Sequence, residues 1–202
     1  MRRKDQAKRR AQITAAARAT LLEQGAVGLR AKDVAARAGL APSSLLYYYP
    51  RTDELLMEVA RDAMTRYAER RAERVRSVED HVARLRLALE LGVPAGPGDE
   101  ESRILYEIDA LTGSSAVFAA MSSDFFDRQA ALYEEILDAG AAGGVFELAA
   151  PAATLARGLI ALEDGLGLQV VIGHPGLGAD DARKVLMRYA SLATGVELAT
   201  SK

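Results

Sequence analysis

The sequence predicts an all-α protein, a three-helix head built on a helix-turn-helix followed by a larger helical bundle. Three observations carry that prediction. Apolar residues recur with helical period along nearly the whole chain, and no segment shows the strict alternation of a half-buried strand. The breaks are clusters of turn residues: "GVPAGPGDEE" at 92–101, "GAAGG" at 140–144 and "GHPGLG" at 173–178. Finally, "AARAGLAPSSLLYYYP" at 35–50 puts one glycine between two short helical patterns and ends in three tyrosines, in a chain with Tyr 7 and Phe 4 among 202 residues.

The elements follow in order. From about Lys8 to Glu23, Ile13, Ala16, Ala17 and Leu21 share one face, and Gly25 is a C-terminal stop. A second helix runs from Ala31 to Ala38 with Val34, Ala35 and Ala38 inward, and Gly39 ends it. The third starts at Pro42, a favoured first-turn residue, and stops before Pro50. Six longer patterns come after: 52–76, 78–91, 102–111, 116–139, 152–172 and 180–196. The expected division is a head of residues 1–50 and a body of residues 51–202.

Half of the chain is hydrophobic, enough for a core without metals or disulfides. With no cysteine there are no disulfides or thiolate sites, and an intracellular setting fits better than a secreted one. The basic start "MRRKDQAKRRAQ" has no apolar stretch after it, and no run approaches the ~18 apolar residues of a membrane span. The expected location is the cytoplasm.

The net charge of -2 hides an asymmetry. Residues 1–50 hold ten Lys/Arg against three Asp/Glu, a net +7, whereas residues 77–202 carry a net -10. Only the N-terminal part is suited to meet a polyanion.

Residues 31–48 have the spacing of a helix-turn-helix. Ala35 permits close approach of two helices, Gly39 takes the turn, and Val34, Leu40, Leu45 and Tyr48 close a small core. Ser43, Ser44, Leu46 and Tyr47 remain on a free face, at the end that such a motif inserts into a major groove.

"LRAKDVAARAGLAPSSLLYYYPRTDELL" resembles the DNA-binding segment of the TetR family of one-component bacterial regulators, over about residues 8–60. The resemblance implies a dimeric repressor that binds operator DNA through its head and a small molecule through its body. It implies DNA contacts at Arg30, Lys32, Pro42, Ser43, Ser44, Leu46, Tyr47, Tyr48 and Arg51, with Tyr49 in a place usually held by Phe and therefore packed. Three departures stand out: Leu46 where the family has Tyr, Arg30 where it has a Ser or Thr cap, and Thr52 where it often has Lys. For Lys32, and for Arg2–Arg10 read as a flexible arm, plain solubility is an equal alternative.

In the body, the Glu/Arg-rich "AERRAERVRS" reads as a solvated helix face. Stripes at Leu155, Leu159, Leu162, Leu166 and at Val185, Tyr189, Leu192, Val196, with Gly158 and Gly165, suit either a single-chain core or a four-helix homodimer interface; the resemblance favours the dimer. Candidate ligand contacts are Arg103, Tyr106, Met121, Phe125, Gln129 and Tyr133, for a largely apolar effector with one or two polar handles. Arg103 and Glu107, four residues apart, are equally placed to pair with each other.

Enzyme chemistry finds no support. His81 and His174 lack partners at metal spacing, there is no nucleophile elbow, and "GLGLQV" lacks the Lys and Ser/Thr of a phosphate loop. Neither a cofactor nor a metal is expected. A ligand-independent architectural DNA binder and an activator of the same family are the other readings open to this sequence.

Overall fold

The computed structural model describes residues 2–198, and among these all of the regular structure is helical. In chain order the helices are α1 (Arg2–Gly28), α2 (Ala31–Arg37), α3 (Pro42–Tyr48), α4 (Thr52–Arg76), α5 (His81–Gly92), α6 (Glu100–Asp109), α7 (Ala116–Ala142), α8 (Ala152–Val171) and α9 (Ala179–Thr194). They divide into two compact units. One comprises Met1–Thr65 with Glu100–Ser122, the other Arg66–Asp99 with Ser123–Lys202, so α4 and α7 each contribute to both.

In the first unit, α1 packs against α2 and α6, and α2 against α3. Ile13, Ala17 and Leu21 of α1 are buried with Val34, Ala35, Leu45, Leu55 and Ile104. Residues 2–10, read above as a flexible arm, are instead the opening turns of α1. The stop expected at Gly25 is a sharp break with φ 72 and ψ 167, after which one more helical turn leads to Gly28. That break strands backbone groups, and α6 satisfies them. Glu107 Oε2 accepts from the Ala26 N–H at 2.8 Å, and Arg103 Nη2 donates to the Leu22 carbonyl at 2.8 Å. Arg103 and Glu107 thus each grip the broken end of α1, and this contact makes the first unit larger than residues 1–50.

Leu85, Leu89, Ile136, Leu137, Leu159, Ile160 and Leu186 form the core of the second unit. Full burial of one such side chain contributes about 1.5–3 kcal/mol. Two boundaries differ from those expected. α5 begins at His81 rather than at 78, because Asp80 is its N-cap and accepts from the Ala83 N–H at 2.7 Å. α7 passes through Gly140, expected to be a break, and the turn falls at Gly144, with φ 68. Gly140 has a packing role, since a Cβ there would lie 2.1 Å from the Phe146 ring.

Candidate functional site

α3 has the sequence PSSLLYY and begins with its proline in the first turn. It sorts its side chains sharply. Leu45 points into the core and Tyr49, just beyond the helix, is 2% exposed, whereas Tyr47 is 74% and Leu46 46% exposed. Pro42, Ser43 and Ser44 are exposed as well, and Tyr48 is half-buried with its ring edge-on to that of Tyr47, centroids 5.3 Å apart. Two large apolar or aromatic groups beside two hydroxyls, with no acidic residue anywhere in the helix, make a surface able to meet thymine methyls and phosphates.

The turn before it is built by Gly39, at φ 64, and by the Leu40 N–H, which donates to the Ala35 carbonyl at 2.9 Å. Gln12 Nε2 of α1 donates to the Ala38 carbonyl at 2.7 Å and fixes the end of α2. Tyr49 sits under the Arg10 guanidinium at 4.9 Å. Burial, aided by the Glu58 carboxylate, pushes its hydroxyl up to about 12.

The basic groups around α3 differ in what they already hold. Lys32 is exposed in the first turn of α2. Arg30 precedes that helix without capping it, and its Nη1 donates back to the Val27 carbonyl at 2.9 Å. Arg51 pairs with Asp53 at 2.9 Å, and Arg37 pairs with Glu23. A phosphate would have to displace a carboxylate from the last two.

The second unit contains a charged centre that the sequence reading placed in solvent. Arg71 of α4, in the middle of "AERRAERVRS", is 3% exposed and meets Glu163 of α8, also 3% exposed. The contact is a two-pronged pair, Nη1 to Oε1 at 2.9 Å and Nη2 to Oε2 at 2.6 Å. Nη1 also donates to Gln129 Oε1 at 2.8 Å; Nη2, with two hydrogens for three acceptors, shares them among Glu163, the Ala88 carbonyl at 2.9 Å and the Tyr133 hydroxyl at 3.0 Å. The Tyr133 hydroxyl in turn donates to Glu163. Four helices of this unit therefore converge on one guanidinium. Burial alone would lower the Arg71 pKa, but the Glu163 carboxylate outweighs it and holds the arginine charged; burial, reinforced by Glu163, keeps Tyr133 protonated. Gly92 makes the room, since a Cβ there would lie 2.0 Å from Glu163 Oε2. The sequence signal was present: Glu163 on the apolar face of "GLIALEDGLGL", four residues after Leu159, and Tyr67, Arg71 and Val75 at i, i+4, i+8 on one face of α4.

The six candidate ligand residues divide between the two units. Arg103, Tyr106 and Met121 belong to the first unit, where Arg103 is committed to Leu22. Phe125, Gln129 and Tyr133 belong to the second. There Gln129 and Tyr133 both bind Arg71, and the Phe125 ring lies 5.8 Å from that of Tyr67. A cavity of about 60 Å³ opens beside them, walled by Tyr67, Arg70, Arg71, Arg74 and Leu91.

Also in the second unit, α8, the residue that caps it and α9 carry exposed apolar side chains: Leu168 at 40%, Ile172 at 64%, Tyr189 at 58% and Leu192 at 64%. Gly158 and Gly165 share the exposed side of α8, and a Cβ at either would meet nothing within 4 Å. No helix among the described residues is long and apolar enough to cross a membrane.

A helix-turn-helix with a bare reading face, joined to a helical body with a buried polar centre, defines a DNA-binding transcriptional regulator. Comparison with known proteins agrees. The profile of bacterial regulatory proteins of the tetR family matches residues 13–59, and that of the C-terminal part of BetI-type transcriptional repressors matches residues 81–194. The chain belongs to the TetR family of transcriptional regulators, which are DNA-binding proteins and not enzymes. Among solved structures, it resembles a transcriptional regulator from Saccharomonospora viridis in complex with choline, at 25% identity and TM-score 0.84, over 92% of this chain and 96% of that one. A TetR-family regulator from Rhodococcus sp. shares 22% identity at TM-score 0.79, over 92% and 98%. A TetR regulator from Haloarcula marismortui shares 21% at TM-score 0.82, over 93% and 99%. No curated protein matches the chain.

Proposed function

We propose that the protein is a cytoplasmic homodimeric repressor that binds a near-palindromic operator and leaves it when a small organic effector occupies the second unit. The observation that carries the reading is the face of α3, where Tyr47 and Leu46 stand in solvent while Leu45 and Tyr49 anchor the helix from beneath. Leu46 and Tyr47, exposed side by side, form an apolar patch of the kind that a partner covers. Arg30, Lys32 and Arg51 flank it as phosphate contacts, Ser43, Ser44 and Tyr48 as hydroxyl contacts, and Pro42 as the residue that sets the helix start against the DNA backbone.

Two such helices must reach successive major grooves about 34–36 Å apart, which requires a two-fold dimer. The exposed apolar side chains of α8 and α9, with the open glycines 158 and 165, support that contact. The choline complex of the Saccharomonospora viridis regulator supports a small organic effector, and α4, which contributes to both units, is the natural lever between effector and head.

The test is selection of bound duplexes from a random library by the full-length protein, followed by in vitro transcription from a promoter carrying the recovered site. A near-palindrome whose binding weakens with log salt at roughly -0.9 per phosphate neutralised, and which silences the promoter, is the expected result. Binding without sequence preference would deny the operator reader; increased transcription would make the protein an activator.

A further inference from the structure

Each base pair presents its own pattern in the major groove, and each side-chain type reads a different part of it. Arginine or lysine pairs with guanine, asparagine or glutamine with adenine, aspartate or glutamate with cytosine, and an apolar group meets the thymine methyl. From Ala38 to Pro50, a stretch that spans the turn and all of α3, the chain holds none of those six polar residue types. The side chains left exposed on α3 and the residue before it are Ala41, Pro42, Ser43, Ser44, Leu46 and Tyr47. A serine hydroxyl bonds to any base or to phosphate and so distinguishes little. Apolar contact remains as the means of choosing a base, and Leu46, 46% exposed, and Tyr47, 74% exposed, are the groups large enough to make it. Both are held in place: the Tyr47 ring stands edge-on to that of half-buried Tyr48, and Leu45 between them and the core is fully buried. The cations lie outside this stretch. Arg30 and Lys32 stand at the start of α2, the helix that in such a motif crosses the DNA backbone, while Arg37 and Arg51 hold Glu23 and Asp53. They suit phosphates, whose contacts fix register and carry no base sequence.

We infer that this protein chooses its operator by the 5-methyl groups of thymines packed against Leu46 and Tyr47, and that the part of each half-site facing α3 is a thymine-bearing A·T segment rather than a guanine-anchored one. The inference rests on the operator reading above and names the chemical group that is read. Burying one methyl raises affinity about fourfold, and the factors multiply over the methyls of two half-sites, so selectivity arises without an arginine on guanine or an amide on adenine.

The experiment takes the duplex that the full-length protein selects from a random library and replaces its thymines by deoxyuridine, one symmetric pair at a time, with Kd read by fluorescence anisotropy. Deoxyuridine keeps the pairing edge and the O4 acceptor and lacks only the methyl. For at least one pair, Kd should rise by about fivefold or more, since a loss of about fourfold recurs in each half-site. The same replacement should change Kd by less than about twofold in whichever of Leu46→Ala and Tyr47→Ala has lost the side chain that covers that methyl, because methyl and side chain act as one coupled pair. Both substitutions are at exposed positions, and a melt of each variant checks that the fold is kept. If no pair reaches the fivefold change, the inference is overturned and the operator reading stands, with base choice resting on groups other than thymine methyls. A response that persists in full in both alanine variants also overturns it, assigning the effect of the methyl to DNA shape. Selection that recovers no preferred sequence overturns the inference together with the operator reading.

Discussion

The three tyrosines of α3 and its exit have one chemistry and three environments, and that difference sets what each substitution does. Tyr47 is exposed, so Tyr47→Ala should leave the thermal midpoint within about 2 °C, a surface change being worth within ±0.5 kcal/mol, and should lower operator affinity at least tenfold in a gel-shift titration. Unchanged affinity would remove Tyr47 from the reading face. Tyr49 is buried, and its hydroxyl has no hydrogen-bond partner, so Tyr49→Phe should stabilise the protein by roughly 1 kcal/mol. Its pKa is raised from 10.0 to about 12 by burial, and a raised folded-state value means stability that is complete below pH 10 and is lost as pH climbs from 10 towards 12. The urea midpoints of wild type and Tyr49→Phe should therefore separate further over that range, and parallel curves would show that the hydroxyl does not feel its burial. Arg30 stands at the N-cap of α2 with no side-chain acceptor for the free amides. Arg30→Ser should add about 1 kcal/mol of stability through a new cap while weakening operator binding through a lost cation, two effects of opposite direction separable by a melt and a binding isotherm.

Helix content and order were legible in the sequence because period and turn chemistry are local properties. α2, α3 and α4 fall within one residue of expectation, and the boundaries that moved did so for side-chain reasons that periodicity does not encode: the Asp80 cap, and the seat Gly140 provides for Phe146. Gly140 shows how a helix interior can require glycine. Helix propensity alone favours alanine there by about 1 kcal/mol, yet the added Cβ would lie 2.1 Å from Phe146 Cδ2. Gly140→Ala should consequently lower stability by about 1–3 kcal/mol, the usual cost of overpacking, and the paired change Gly140→Ala/Phe146→Leu should recover part of it in denaturant melts. A stabilised single variant would mean that the turn at 143–146 repacks freely. The candidate contacts in α3 came from local patterning too. Arg71 did not, because its burial depends on Glu163, 92 residues away, and on the space left by Gly92. For the same reason Arg103 read as a polar handle: nothing local tells that Gly25 breaks α1 and leaves the Leu22 carbonyl to be bound.

At the level of the whole molecule, the stripes on the last two helices mix two surfaces that one sequence period cannot separate. Leu159 lies in the core of its own unit, whereas Tyr189 and Leu192 face outward, as do Leu168 and Ile172 outside the stripes. An apolar exposed side with two open glycines is costly in a lone subunit and suits a partner helix approaching closely at Gly158 and Gly165. The two contributions can be told apart by size. Gly165→Ala adds helix propensity worth about 0.5–1 kcal/mol and a single methyl, whereas Gly165→Leu adds the same propensity together with a branched side chain that a close helix crossing cannot hold. Gly165→Leu should thus sediment as a monomer at micromolar concentration with its melt otherwise intact. Its operator affinity should fall by a factor on the order of 10² or more, because the second half-site is no longer bound at the high effective concentration a dimer supplies. Tyr189→Glu on α9 should act in the same direction. A Gly165→Leu protein that remains dimeric and holds its operator would place the two-fold contact elsewhere on the chain, and the exposed side of α8 would then lack its partner.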